Sequence, residues 1–84
     1  MKLFKISQTV NQNYDTYDSA VVVAESAEDA QKIHPAEIEE PAVWWLNVER
    51  YWDWAYTLDQ VKVEYIGETH LTAGTVVCAS FNAG

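Results

Sequence analysis

Apolar and polar positions change rhythm several times along the chain, and each rhythm names an element. Residues 2–8 alternate, with Phe4 and Ile6 on one side and Lys5 and Ser7 on the other. That is the period of two that a strand requires. Thr9 to Asp18 breaks the alternation with Asn, Asp and Thr, whose side chains bond to nearby backbone and favour turns. At about ten residues this stretch is too long for a tight hairpin and reads as an exposed, functional kind of loop. Ser19 to Glu25 is apolar on both faces, as an interior strand would be.

Ser26-Ala27-Glu28-Asp29 matches a capping box, in which the Ser hydroxyl accepts from the N–H three residues on. Glu28 and Asp29 add negative charge to the first turn, where the helix dipole favours it. Ala27, Ala30 and Ile33 then recur at helical spacing, and His34 before Pro35 disfavours continuation. The spacing predicts a helix of about two turns. From Val43 onward VWWLNVERYWDWAY places Trp44, Val48, Tyr51, Trp52 and Ala55 on one helical face. A second helix is therefore expected over 43–53, with 54–59 open between helix and strand. Val61 to Ile66 alternates again as a half-buried strand ending at Gly67, and Thr75 to Phe81 forms a last strand. Residues 69–84 hold no Asp, Glu, Lys or Arg. A strand without charge on either face is expected inside a sheet, since edges are usually guarded by charge or Pro.

The order β-β-α-α-β-β predicts a small α+β domain with a four-stranded sheet. A right-handed crossover puts the helices on one face, leaving the other solvated or covered by a partner. The 84 residues and 9.6 kDa suit one domain, residues 1–84, with one modest core.

Charge narrows the function classes. Thirteen acids against five Lys and Arg give a net charge of −8, which argues against direct nucleic-acid binding or an anionic membrane surface. No apolar run approaches the roughly 18 residues that would span a bilayer, and no secretory h-region follows Lys2. A single Cys78 excludes an internal disulfide and a Cys-based zinc site, and suits a reduced cytoplasmic setting.

Glu25, Glu28, Asp29, Glu37, Glu39 and Glu40 lie within sixteen residues against Lys32 alone. Such a stretch either steers a basic partner, imitating a phosphate backbone, or simply solubilises a helix face. All four Trp fall between Val43 and Tyr56. A core this small holds one or two Trp, so others are expected at the surface, where Trp and Tyr serve as interface anchors. Trp44 and Trp52 are the expected core pair. The expected partner-binding residues are Glu28, Asp29, Glu37, Glu39 and Glu40, which steer, with Trp45, Tyr51 and Trp54, which anchor.

The remaining polar motifs carry less. Asn11-x-Asn13-x-Asp15 has the beginning of a calcium loop, yet Thr16 stands where Gly is needed and Val22 where the bidentate Glu is needed. His34 and His70 have no second His or carboxylate at metal-ligating spacing, and His34 reads as a helix C-terminal residue. Cys78 in an apolar strand reads as a structural thiol. No catalytic group, cofactor site or metal site is expected.

The segments YDTYDSAVVVA (14–24), IHP (33–35), VKVEYIG (61–67) and CASFNAG (78–84) together resemble a group of short acidic proteins of bacteriophages and bacterial genomes. The resemblance covers about two thirds of the chain and is weakest in the Trp-rich stretch. It carries no activity, cofactor or site residue and implies a phage or mobile-element origin. The leading expectation is thus a non-enzymatic protein-binding module, such as a phage-encoded inhibitor of a host defence or nucleic-acid-binding protein. Two others stand beside it: a small-ligand binder with a Trp-lined pocket, and a homodimer whose Trp face completes its own core.

Overall fold

A computed structural model describes residues 1–36, 44–46 and 49–82. Strand β1 spans Lys2–Ser7, β2 Thr16–Ala24, β3 Lys62–Glu68 and β4 Val76–Asn82. One helix, α1, spans Ala27–Gln31, and 3₁₀ turns occupy Trp44–Leu46 and Leu58–Gln60. The sheet is antiparallel throughout in the order β3-β1-β2-β4. The small α+β sheet protein expected from the alternations is therefore present, with a different order of helical elements.

Register follows from the pleat. Phe4 opposes Val22, and Ile6 opposes both Ala20 and Val63, so these side chains share one face. β2 and β3 run parallel to each other on either side of β1. The chain between them carries α1 across that face, packed on β1, β2 and β3. The core is Phe4, Ile6, Ala20, Val22, Ala24, Ala30, Trp44, Trp54, Ala55 and Val61. Each large apolar side chain buried there contributes about 1.5–3 kcal/mol. The opposite face carries Lys5 between Val21 and Glu64, with Ser7 between Ser19 and Lys62. No described helix covers it.

Ser26 caps α1, its Oγ accepting from the Asp29 N–H at 3.2 Å. The helix ends after five residues at Lys32, shorter than the two turns expected. Among the described residues of 43–53 the second helix is not formed: Trp44–Leu46 is a 3₁₀ turn and residues 49–54 are turns and bends; residues 43, 47 and 48 lie outside the described residues. The periodicity of the large aromatics fits helix and strand alike, and the turns that form instead bury Trp44 and Trp54.

β4 is an edge strand, against the expectation that a charge-free strand sits inside. β1 and β2 occupy the interior because their loop closes them as neighbours, and each is flanked by a later strand. β1 holds Lys2 and Lys5, so charge was a poor guide to position here. The connection 69–75 crosses one end of the sheet from edge to edge, about 14 Å at three strand spacings. It is tied on the way: Thr69 N–H donates to Met1 O, Gly74 N–H to Val23 O and Val23 N–H to Thr75 O. Gly74 takes φ 91°, the left-handed region that Gly enters without strain.

Candidate functional site

His34 organises the end of the molecule where the aromatic residues meet. Its ring centroid lies 5.6 Å from Tyr51, 6.2 Å from Tyr17 and 6.4 Å from Trp44. Trp45 extends the cluster edge-on at 5.5 Å from Trp44, and Phe81 of β4 does so at 4.8 Å from Tyr17. Edge and tilted contacts of this kind place ring hydrogens against ring faces, as the aromatic quadrupole favours. Trp44 Nε1 donates to Lys32 O at 3.0 Å, which fastens the 3₁₀ turn to the end of α1.

The imidazole is buried and fully bonded. Nδ1 accepts from the Ala36 N–H at 3.0 Å, and Nε2 lies 3.0 Å from Asp53 Oδ1. An acceptor at Nδ1 places the proton of the neutral ring on Nε2, which donates to the carboxylate. The pair has the outline of an acid–base dyad, but both nitrogens are occupied, leaving His34 no lone pair for a substrate proton. What the pair does is join the segment after α1 to the turn at Asp53, whose carbonyl also accepts from Tyr17 N–H at 2.8 Å. His34 is thus not a solvated helix-end cation but a buried ring paired with a carboxylate. Asp53 stands nineteen residues away, beyond any local spacing signal.

Burial lowers the His34 pKa below its ordinary value, while the charge and hydrogen bond of Asp53 oppose that shift in part. A folded pKa below the unfolded one means that the unfolded chain takes the proton first. Stability is therefore full above about pH 6.5 and is lost as pH falls through the lowered folded value. Urea midpoints should decline from about pH 7.5 to about pH 5.5, and His34→Gln should flatten that part of the curve. An equally steep decline in the variant would assign the slope to other groups.

The loop after β1 supplies a second buried element. Gln8 Nε2 donates to Asn11 O and Tyr17 O, each at 2.8 Å, while Gln8 Oε1 accepts from Asn11 N–H at 2.8 Å. Asn11 Nδ2 donates to Trp52 O at 2.6 Å and Trp54 O at 3.1 Å. Thr16 Oγ1 donates to Asn13 O. Part of the stretch 9–18 is therefore interior: Asn11 and Thr16 are buried, and β2 already begins at Thr16. Among the described residues no group of His, Cys, Asp and Glu could hold a metal ion.

The expected site residues are only partly brought together. Glu28 and Asp29 are exposed on α1; Glu37, Glu39 and Glu40 lie outside the described residues. Trp45 and Tyr51 are half-buried in the His34 cluster. Trp54 is 0% exposed and belongs to the core, so it is no surface anchor. Trp52, expected inside, is 51% exposed, and Leu46 is 74% exposed beside Trp45 in sequence. A tight turn in place of a helix is the reason: it sends Trp52 and Trp54 to opposite sides, whereas a helix would have put Trp52 with Trp44. Cys78 is a free thiol exposed on β4, not a buried structural one. His70 is exposed in the 69–75 connection. No described helix is long and apolar enough to cross a membrane.

Concavities exist on the open sheet face. One of about 500 Å³ is bounded by Lys5, Ser7, Lys62, Val63 and Glu64, and a smaller one by Lys5, Ser19–Val21 and Cys78–Ser80. Neither has a Trp in its walls. No protein-family model matches the chain, and a search of curated proteins and of solved structures finds no significant match to it.

Proposed function

We propose that the protein is a non-enzymatic protein-binding module whose partner is basic, of the nucleic-acid-binding class that an acidic surface can occupy in place of phosphates. The observation that carries this reading is the division of labour among the Trp residues. Trp44 and Trp54 are spent on the core, while Trp52 sits in solvent on a turn held by Asn11 and by the His34–Asp53 pair, and Leu46 on a turn held by the Trp44 indole. A large aromatic exposed on a tethered turn loses little entropy on binding and gains by desolvation, the character of an interface anchor. Half-buried Trp45 and Tyr51, the chain neighbours of Leu46 and Trp52, add apolar area. Exposed Glu28 and Asp29, with the −8 overall charge, add long-range attraction for a cationic surface. The resemblance to short phage proteins suits a role as inhibitor of a host defence or nucleic-acid-binding protein.

Affinity capture from cell lysate with wild type and Trp52→Ala tests the reading. Wild type is expected to retain a basic protein at low salt, and Trp52→Ala to weaken it at least about tenfold, chiefly by faster dissociation. Stability should fall by only about 1–2 kcal/mol, because about half of the side chain is already in solvent. Equal retention by both chains would remove Trp52 from the interface. Association with the purified partner should slow steeply as salt rises, and a salt-independent rate would remove the steering role of the acids.

A further inference from the structure

At the end of the sheet where β1 and β4 finish and β2 starts, a hollow of about 320 Å³ lies among Gln8, Asn11, Gln12, Thr16, Asp18 and Asn82. That volume is close to the roughly 300 Å³ lower end of ligand pockets, room for one group of side-chain size. Its walls divide by what their polar atoms still offer. Gln8, Asn11 and Thr16 are buried, and their side-chain donors are all engaged. The Gln8 amide donates to Asn11 O and Tyr17 O, the Asn11 amide to Trp52 O and Trp54 O, and the Thr16 hydroxyl to Asn13 O.

The exposed residues Gln12, Asp18 and Asn82 carry the unused oxygens. The Asp18 carboxylate accepts only from Ser19 Oγ, at 3.4 Å, and has no ion pair among the described residues. Gln12 Oε1 and Asn82 Oδ1 accept nothing among the described residues. Their amides are oriented from the nitrogen end, Gln12 Nε2 donating to Thr9 O at 3.1 Å and Asn82 Nδ2 to Asn13 O at 3.3 Å. No Lys, Arg or His borders the hollow. A carboxylate and two amide oxygens, with the buried donors already engaged, turn away a phosphate or a carboxylate and suit a group made of N–H donors. The −8 charge of the chain favours a cation over a neutral polyol. Guanidinium suits the set better than ammonium. Its planar fork meets a carboxylate with two parallel N–H bonds and keeps others for the amide oxygens, whereas an ammonium has three donors in all.

We infer that this hollow is a socket for a guanidinium, the side chain of an arginine on the basic partner proposed above, an inference that rests on that reading. Asn11 joins the two places. It borders the hollow, and its Nδ2 holds the carbonyl of Trp52 at 2.6 Å, so one partner surface meets both. The exposed indole supplies desolvation, and the paired N–H bonds at Asp18 supply orientation.

Titration of isotope-labelled protein with N-acetylarginine amide, followed by backbone amide chemical shifts, tests the socket without the partner. Residues 8–18 and Asn82 should move, with a dissociation constant of about a millimolar for so small a probe. Asp18→Asn should weaken binding at least about tenfold. Its fold should persist, since the side chain is exposed and bonded only to Ser19. Glu64→Gln, an equal charge change on β3 at the far edge from β4, should bind as wild type does. N-acetylcitrulline amide has nearly the same shape without the charge and should move none of these residues. No movement with the arginine probe overturns the proposal. So does citrulline, a methyl glucoside or N-acetyllysine amide binding as tightly as arginine. In the capture experiment Asp18→Asn should speed dissociation of the retained partner. A partner lost from Trp52→Ala but held fully by Asp18→Asn would remove the arginine from that interface and leave the protein-binding reading standing. A probe that binds while Trp52→Ala keeps its partner would leave the socket standing and remove the anchor.

Discussion

Replacing Trp54 by Ala is expected to cost about 3–5 kcal/mol, the range for truncating a fully buried aromatic. Trp54 has no exposed surface and sits in one cluster with Phe4, Ile6, Val22 and Ala55. A domain of this size has a total stability of order 5–10 kcal/mol, so the variant should lose from about a third to all of it. Trp44→Ala should be comparably damaging, and Trp52→Ala clearly the mildest of the three. Urea titration of the three variants checks the ranking, and a silent Trp54→Ala would contradict the assignment of this side chain to the core. Replacement by Phe separates the two buried indoles further. Trp44 Nε1 donates to Lys32 O, whereas Trp54 Nε1 is buried with no hydrogen-bond partner among the described residues. Trp44→Phe orphans a carbonyl; Trp54→Phe removes a donor that was already unsatisfied. Beyond their similar loss of volume, Trp44→Phe should cost more by about 1 kcal/mol.

Local signals were legible where local physics decides them. The Ser26 cap formed because hydroxyl and N–H are three residues apart in any helix that starts there. The alternation of Phe4 and Ile6 gave the inner face of β1, and the apolar run 20–24 the interior strand β2. The Trp-rich stretch misled because its periodicity fits helix and strand alike. The deciding contacts come from far away: Asn11 to the carbonyls of Trp52 and Trp54, and His34 to Asp53. Asn11 lies more than forty residues from its acceptors, and turn propensity described it correctly while missing its burial. β4 shows the converse. Its lack of charge is real, but β4 takes an edge place beside β2 rather than an interior one, because sheet order is set by which strands pair and not by the charge of one strand. The acidic segment was legible as charge alone; only Glu28 and Asp29 of its expected steering residues are placed.

Asn11→Leu is expected to cost about 1–3 kcal/mol for each carbonyl that loses its donor. The Trp54 carbonyl is in a buried contact and should contribute near the upper end. The Trp52 carbonyl is half-buried and can be partly satisfied by water, so it contributes near the lower end. The orientation of the amide is set by its surroundings: two carbonyl oxygens on one side require the NH₂ there, and Oδ1 on the other side accepts from Asn13 Nδ2 at 3.0 Å. Asn11→Asp keeps the shape but aims a carboxylate at those two carbonyls, so it should be at least as destabilising at neutral pH. It should also recover in part on acidification, because the protonated acid regains one donor. Facing two carbonyl oxygens, the introduced acid has a folded pKa raised above its unfolded value of about 3.9. Its contribution is then present below that unfolded value and lost as pH rises through the folded one. That is opposite in sign to the His34 effect, so the difference between variant and wild type in urea midpoint should narrow as pH falls. A difference that stays constant with pH would mean that Asn11 does not face the Trp52 and Trp54 carbonyls. The Trp52 turn would then be held by the His34–Asp53 pair and by the Tyr17 N–H on the Asp53 carbonyl, and the wild-type amide would have no part in presenting the proposed anchor.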